Sequence, residues 1–161
     1  MKNISLISFL ALAFVAGCGR ATHSAATSSS DQLIHESSVA FNAKDYTKAQ
    51  ALAAQAKALD PNAEGAWVGY GTASAMLGQP DKARDAYERA LSLCQAISSR
   101  HPSDVSVVYQ QIYLLTLLDR SSEAEALLRQ ARINHPNDKG LTTFDYQEAK
   151  REWAIVTVGA N

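Results

Sequence analysis

The chain has 161 residues, a formal net charge of −1 and a pI near 6.4. This length is enough for one domain with a hydrophobic core, and the near-neutral charge offers no basic face that could neutralise phosphates, so we expect no nucleic-acid partner. Alanine supplies much of the 47% hydrophobic share while runs of β-branched residues are scarce, so the composition favours helix over sheet.

The first seventeen residues differ in character from the rest of the chain. Lys2 provides a positive charge, and an uncharged apolar run follows from Ile4 to Gly17. As a helix this run would extend about 21 Å, which is short of the ~30 Å hydrocarbon core of a bilayer. It is therefore typical of a signal peptide and not of a membrane-spanning helix, and we expect residues 1–17 to be a leader.

The end of the leader and the residue after it read Val15-Ala16-Gly17-Cys18, which resembles the lipobox of bacterial lipoprotein precursors. The resemblance implies that Cys18 becomes the mature N-terminus and carries several acyl chains, which suit stable membrane anchoring. By the same resemblance, Gly19 in place of Asp favours the outer membrane, facing the periplasm, over the inner membrane. A plain secretory peptide with an incidental cysteine is the alternative. Residues 18–29 are small, polar and without periodicity, and we expect them to form a flexible tether.

The central part of the chain, residues 30–138, contains an internal repeat. Alanines recur first after 34 residues and then after 41, and prolines follow each unit: Ala49, Ala83, Ala124; Ala56, Ala90, Ala131; Pro61, Pro102, Pro136. A period in this range indicates repeated units, each of which must stack on its neighbours to bury its apolar face. The units are residues 30–63, 64–104 and 105–138.

The middle unit resembles the tetratricopeptide repeat. Six residues carry the resemblance at the family's spacing: Trp67, Gly71, Gly78, Ala83, Tyr87 and Ala90. The first unit keeps Ala49, Ala56 and Pro61, and the third keeps Ala124, Ala131 and Pro136. The resemblance implies an all-α fold, a short α-solenoid of about three helix-turn-helix units. Physically, small residues at these positions let two antiparallel helices approach closely while Trp67 and Tyr87 fill the gaps around them.

Two further helical features follow from the spacing. An apolar stripe continues from Ala83 through Cys94 to Ile97, so the seven extra residues of the middle unit are expected to lengthen its second helix until Pro102 ends it. Cys94 would then be a buried structural thiol, the alternative being an intermolecular disulfide. In residues 139–161, an amphipathic pattern over 141–156 predicts a helix that caps the last repeat, followed by a tail.

The resemblance also implies a concave groove lined by the first helix of each unit. The groove residues would be Ile34, Phe41, Val68, Thr72, Met76, Tyr109, Tyr113 and Leu117. Such a groove is largely apolar and suits a peptide or an amphipathic helix of another protein. If the array is tightly wound, the same residues are core instead. The cations by which some family members hold a C-terminal carboxylate are missing, so that activity is not carried over.

No motif for metal binding, phosphate binding or nucleophilic catalysis occurs in the sequence, and His101 and His135 stand beside prolines at turn positions. We expect a non-catalytic protein without cofactor or metal. The architecture resembles tetratricopeptide lipoproteins that assist pilus and secretion-system assembly, which implies a membrane-anchored adaptor or assembly factor. A scaffold in envelope or peptidoglycan maintenance is the alternative, with a small-ligand carrier or an enzyme as the third possibility.

Overall fold

The computed structural model describes the backbone of residues 18–158 and the side chains of residues 29–152. Within this range the chain forms helices and no strand: α1 Cys18–Asn42, α2 Tyr46–Leu59, α3 Glu64–Met76, α4 Pro80–Arg100, α5 Val105–Leu117, α6 Ser121–Asn134, α7 Lys139–Thr143 and α8 Tyr146–Val158. None of these helices combines the length and the apolar character needed to traverse a bilayer. The leader predicted over residues 1–17 and the side chain of Cys18 lie outside the described residues.

Helices that follow one another in the chain pack against one another. The pairs α1–α2, α3–α4 and α5–α6 form three helix-turn-helix units, and α2 contacts α3 as α4 contacts α5, so each unit stacks on the next. The first helices α1 and α3 also touch directly. The prediction of a short all-α solenoid is confirmed.

The turn inside each unit has the same geometry three times. Lys44, Gly78 and Asp119 each stand two residues beyond the first helix of their unit and have positive φ angles of 63°, 68° and 59°. The residue after each of them donates its backbone N–H to the carbonyl five residues earlier: Asp45 to Ala40 at 3.0 Å, Gln79 to Ser74 at 2.9 Å and Arg120 to Leu115 at 2.8 Å. The left-handed residue thus ends one helix and directs the chain into the next.

Small residues lie where the paired helices meet. The six repeated alanines, Ala49, Ala56, Ala83, Ala90, Ala124 and Ala131, are each at most 4% exposed. Gly71 is buried on α3 against the ring of Tyr87 on α4. Trp67 lies beside the turn between α2 and α3 and donates its indole N–H to the carbonyl of Pro61 at 2.9 Å. Pro61 and Pro136 occupy exposed turns. Close backbone approach is therefore what the small residues supply.

Helix α4 accommodates the longer period of the middle unit. It has 21 residues, whereas α2 and α6 have 14 each, and this difference equals the extra seven residues between the alanine pairs. The added turns carry Cys94, which is completely buried in the main core cluster with Tyr87, Ile112 and Leu128. The cysteine is a packed core residue of the α4–α5 interface.

Both ends of the described chain differ from the sequence-based prediction. Residues 18–29, predicted to be a flexible tether, form the first turns of α1. This stretch contains neither proline nor glycine after Gly19, and alanine is the best helix former. The helix formed by the later residues of α1, which packs on α2, can therefore extend back to Cys18 without interruption. The tether prediction is therefore wrong for the backbone conformation.

The C-terminal segment forms two helices where the amphipathic pattern predicted one. Asp145 separates them, because its carboxylate accepts the backbone N–H groups of Gln147 and Glu148 and caps α8. Arg132 of α6 holds the short α7 by donating to the carbonyl oxygens of Leu141 and Phe144 at 2.9 and 2.7 Å. Helix α8 then packs on α5 and also reaches α3, so it lies across two first helices and not on the last unit alone.

Candidate partner-binding groove

A cavity of about 470 Å³ lies between the first helices of the three units. Its lining comes from α1, α3 and α5: Ile34, Ser37, Ser38, Phe41, Asn42, Glu64, Gly65, Val68, Gly69, Thr72, Gln110 and Tyr113. Ser38, Asn42 and Gln110 are exposed and mark where the cavity opens to solvent. We call this cavity the groove. Its volume falls in the range of known ligand-binding clefts.

One face of α3 forms the floor of the groove. Gly65, Val68, Gly69 and Thr72 follow the three- and four-residue steps of a single helical face. A Cβ atom on Gly65 would lie 3.6 Å from Cγ2 of Ile34, and one on Gly69 would lie 3.6 Å from the hydroxyl of Ser37, both ordinary contacts. Helix packing therefore does not require these two glycines, and their effect is to leave room in the groove.

The wall formed by α1 is ordered by contacts within the chain. The Ser37 hydroxyl donates to the carbonyl of Ala49 at 2.8 Å, and the Ser38 hydroxyl donates to the carbonyl of Ile34 at 3.0 Å. The Phe41 ring packs against the Tyr46 ring with centroids 5.2 Å apart. Both hydroxyl protons are used within the chain, so this wall offers a ligand the apolar side chains of Ile34 and Phe41 together with the exposed amide of Asn42.

Three hydroxyl groups gather at the end of the groove formed by Thr72 and Tyr113. The Thr72 hydroxyl donates to the carbonyl of Val68 at 2.9 Å and lies within interaction range of the Tyr113 and Tyr87 phenols. Tyr87 is buried, but its hydroxyl forms no well-formed hydrogen bond among the described residues. Burial raises the pKa of Tyr113 and raises the pKa of Tyr87 to about 12, so this end of the groove is polar and uncharged.

The opposite end of the groove carries a carboxylate. Glu64 lies in the first turn of α3, and burial raises its pKa, while the nearby Cys94 thiol partly offsets that rise. Burial also raises the pKa of Cys94 to about 12, so the thiol keeps its proton. That proton can be shared with the side-chain oxygen of Gln110, 3.9 Å from the sulfur. The carboxylate thus has a neutral thiol beside it.

The structure brings together five of the eight predicted groove residues: Ile34, Phe41, Val68, Thr72 and Tyr113. The other three, Met76, Tyr109 and Leu117, do not line the cavity. The ring of Tyr109 packs edge-on against Phe144 at 5.2 Å, and Leu117 packs on the main core cluster. The groove prediction is therefore wrong in placing these three residues on its lining: the C-terminal segment folds back over α5 and covers Tyr109, Leu117 is used in the core, and no contact accounts for the position of Met76.

Seven lining residues are not among the eight predicted ones: Ser37, Ser38, Asn42, Glu64, Gly65, Gly69 and Gln110. Gly65 and Gly69 could have been predicted from the sequence. A glycine inside a helix costs about 1 kcal/mol relative to alanine, so two glycines four residues apart indicate a packing or functional role for that face. Glu64 and Gln110 carried no such signal, because only the fold places these two polar side chains beside Cys94.

Residues 65–96 match the family model of the tetratricopeptide repeat. The match begins one residue into α3 and ends within α4, so it covers the unit that supplies the floor of the groove. Repeats of this family generally mediate protein–protein interaction. No curated protein and no solved structure matches the chain.

Proposed function

We propose that this protein is a membrane-anchored interaction module, an adaptor or assembly factor, that binds a segment of another protein in the groove. The observation that carries the proposal is the open cavity between α1, α3 and α5, whose floor belongs to the repeat matched by the family model. Peptide-recognition grooves combine apolar anchoring surface with a few polar groups that fix orientation, and this groove has both.

The chemistry of the lining supports binding over catalysis. Apolar surface comes from Ile34, Phe41 and Val68, and the amides of Asn42 and Gln110 at the mouth can hydrogen-bond a peptide backbone. Among the described lining residues there is neither a histidine nor a second carboxylate to act as a general acid or base beside Glu64. The mouth is open to solvent, which suits a peptide better than a carried small molecule.

The anchoring part of the proposal comes from the lipobox-like residues that end in Cys18. Helix α1 runs without a break from Cys18 to Asn42. At about 1.5 Å per residue, Ile34 would stand roughly 24 Å from an anchored Cys18. The groove would then face the periplasm at a set distance from the membrane, with the outer membrane favoured by Gly19. This arrangement suits a protein that guides envelope components, in a pilus or secretion system or, alternatively, in peptidoglycan maintenance.

Site-specific photocrosslinking in the native cell envelope tests the proposal. A photoreactive residue at Val68 on the groove floor is compared with the same residue at Asp85, which is exposed on α4. We expect a discrete adduct from position 68 that is missing from position 85, and mass spectrometry of it separates a channel-type partner from a cell-wall enzyme. Equal adduct patterns from both positions would rule out the groove as the binding site. In a second experiment, Cys18→Ala should abolish fractionation of the protein with the membrane without altering its helical circular dichroism spectrum. Membrane association that persists in this variant would refute anchoring through Cys18.

A further inference from the structure

The groove has an unbalanced charge. Among the described residues that line it, Glu64 is the only charged one. The ion pairs of the described chain join Arg120 to Glu88 and Glu123, and Arg129 to Glu125, so no cation of these residues pairs with Glu64. The groove therefore presents an apolar surface with one uncompensated carboxylate at its end.

The position of this carboxylate makes it available to a ligand. Glu64 is half-buried and lies on the cavity surface, and the nearby Cys94 is a neutral thiol that cannot cancel its charge. The positive end of the α3 helix dipole stabilises a negative charge at Glu64, but this offsets only part of the cost of burying the carboxylate. A half-buried carboxylate costs stability unless a cation pairs with it. None of the described residues supplies that cation, so the site suits a cation carried by a partner.

We propose that the groove selects a basic amphipathic segment of its partner, with a Lys or Arg side chain at Glu64 and an apolar side chain over Val68 and Ile34. This inference rests on the proposed function and names the chemistry of the partner. One helical turn separates Glu64 from Val68, about 6 Å along α3. The cation and the apolar side chain of the partner therefore stand four residues apart if the segment is helical, or two apart if it is extended.

Charge complementarity here acts mainly on selection. An acidic segment would place a like charge beside Glu64 in a partly desolvated site, which costs more than the same contact on an open surface. A segment with a neutral polar residue would bury its apolar side chain equally well but leave the carboxylate unpaired. The expected order of affinity is therefore basic, then neutral, then acidic.

Synthetic peptide pools test the order with the full-length protein. Three pools of twelve-residue peptides share randomised apolar positions and differ at the four positions that lie two and four residues to either side of the central apolar residue, which are all Lys, all Gln or all Glu. The pools therefore cover a helical or an extended segment in either chain direction. Fluorescence anisotropy should show the Lys pool binding about fivefold more tightly than the Gln pool, and the Glu pool more weakly than both. The Glu64→Gln variant should lose the difference between the Lys and Gln pools. Glu88→Gln, which changes an exposed carboxylate on α4, should keep it.

Each other outcome overturns a defined part of the account. If the Lys and Gln pools bind wild-type protein equally, the basic partner is excluded while the peptide groove stands. If the Lys preference persists in Glu64→Gln, another carboxylate is responsible and the assignment to Glu64 is wrong. If no pool binds, the proposed function fails as well. If the chain dimerises in sedimentation and the pools do not compete, the occupant is a second copy and not a basic segment.

Discussion

The ring of Tyr87 lies directly on the backbone of Gly71, so that a Cβ atom on Gly71 would stand 2.6 Å from Cε1 of the ring. Ala86 closes the same space, with its Cβ atom 3.2 Å from that position. Tyr87 is 3% exposed and has little freedom to move away. This contact sets how closely α3 and α4 approach, and therefore the shape of the unit that carries the groove floor.

Gly71→Ala should destabilise the protein by about 1–3 kcal/mol, because overpacking a filled core forces side chains and backbone to shift. Gly65→Ala is the matched control on the same helix, since its Cβ atom would meet Ile34 at an ordinary 3.6 Å. This variant should gain about 0.5–1 kcal/mol from the better helix propensity of alanine. Urea unfolding followed by circular dichroism measures both. Equal stability of the two variants would show that Tyr87 does not constrain Gly71.

Two of the three left-handed turn residues predict changes in stability of opposite sign. At φ 63° the Cβ atom of Lys44 is sterically strained, whereas glycine adopts this conformation freely, and the Lys44 side chain is exposed. Lys44→Gly should therefore stabilise the protein by about 0.5–1 kcal/mol. Gly78→Ala, the reverse change at φ 68°, should destabilise it by about 1 kcal/mol. Thermal unfolding of the two variants checks the signs. A loss of stability in Lys44→Gly would mean that its side chain contributes more than the turn geometry costs.

Cys94 should react slowly in the native protein. Burial raises its pKa from 9.0 to about 12, so the thiolate fraction at pH 8 is about a thousandfold lower than for an ordinary thiol, and the sulfur is completely buried. Iodoacetamide labelling, followed by mass spectrometry of the peptide that contains Cys94, should become fast only after unfolding in urea. Rapid labelling of the native protein would show that Cys94 is accessible. A dimer that disappears on reduction would show that Cys94 forms an intermolecular disulfide.

Glu64→Gln should raise the free energy of unfolding at pH 7. The folded-state pKa of Glu64 lies above its ordinary value of 4.5 because burial disfavours the charged form. A raised carboxyl pKa means that the unfolded chain ionises first, so folding stability is lost as pH rises from the unfolded pKa to the folded one and is not recovered above it. The variant should therefore equal wild type near pH 3.5 and exceed it at pH 7. A variant less stable than wild type at pH 7 would mean that the ionised carboxylate stabilises the fold.

The repeat was predictable because its residues interact over short, regular distances. Ala83, Ala90 and Gly71 are small at positions where helices a few residues apart in the chain must touch, and this constraint is visible as a period in the sequence. The length of α4 follows from the same spacing, since an unbroken apolar stripe through Cys94 leaves no place for a turn.

The parts that could not be predicted depend on contacts between distant segments. Nothing near Tyr109 indicates that Phe144 will cover it, because periodicity shows that a helix has two apolar faces but not which segment buries each one. For the same reason the contact of α8 with α3 was not foreseen. The helical start at Cys18 was missed because a polar, alanine-containing stretch without a stripe is compatible with both tether and helix.

The most direct test of the central claim, that a partner segment lies between α1, α3 and α5, is amide chemical-shift mapping during titration with the segment crosslinked at Val68. The largest shifts are expected at Gly65, Gly69 and Thr72, and Ile34→Asp should weaken binding by about tenfold or more, since it places a charge on the apolar wall. Shifts concentrated on the outer faces of α2 and α4, with unchanged binding by Ile34→Asp, would contradict the account.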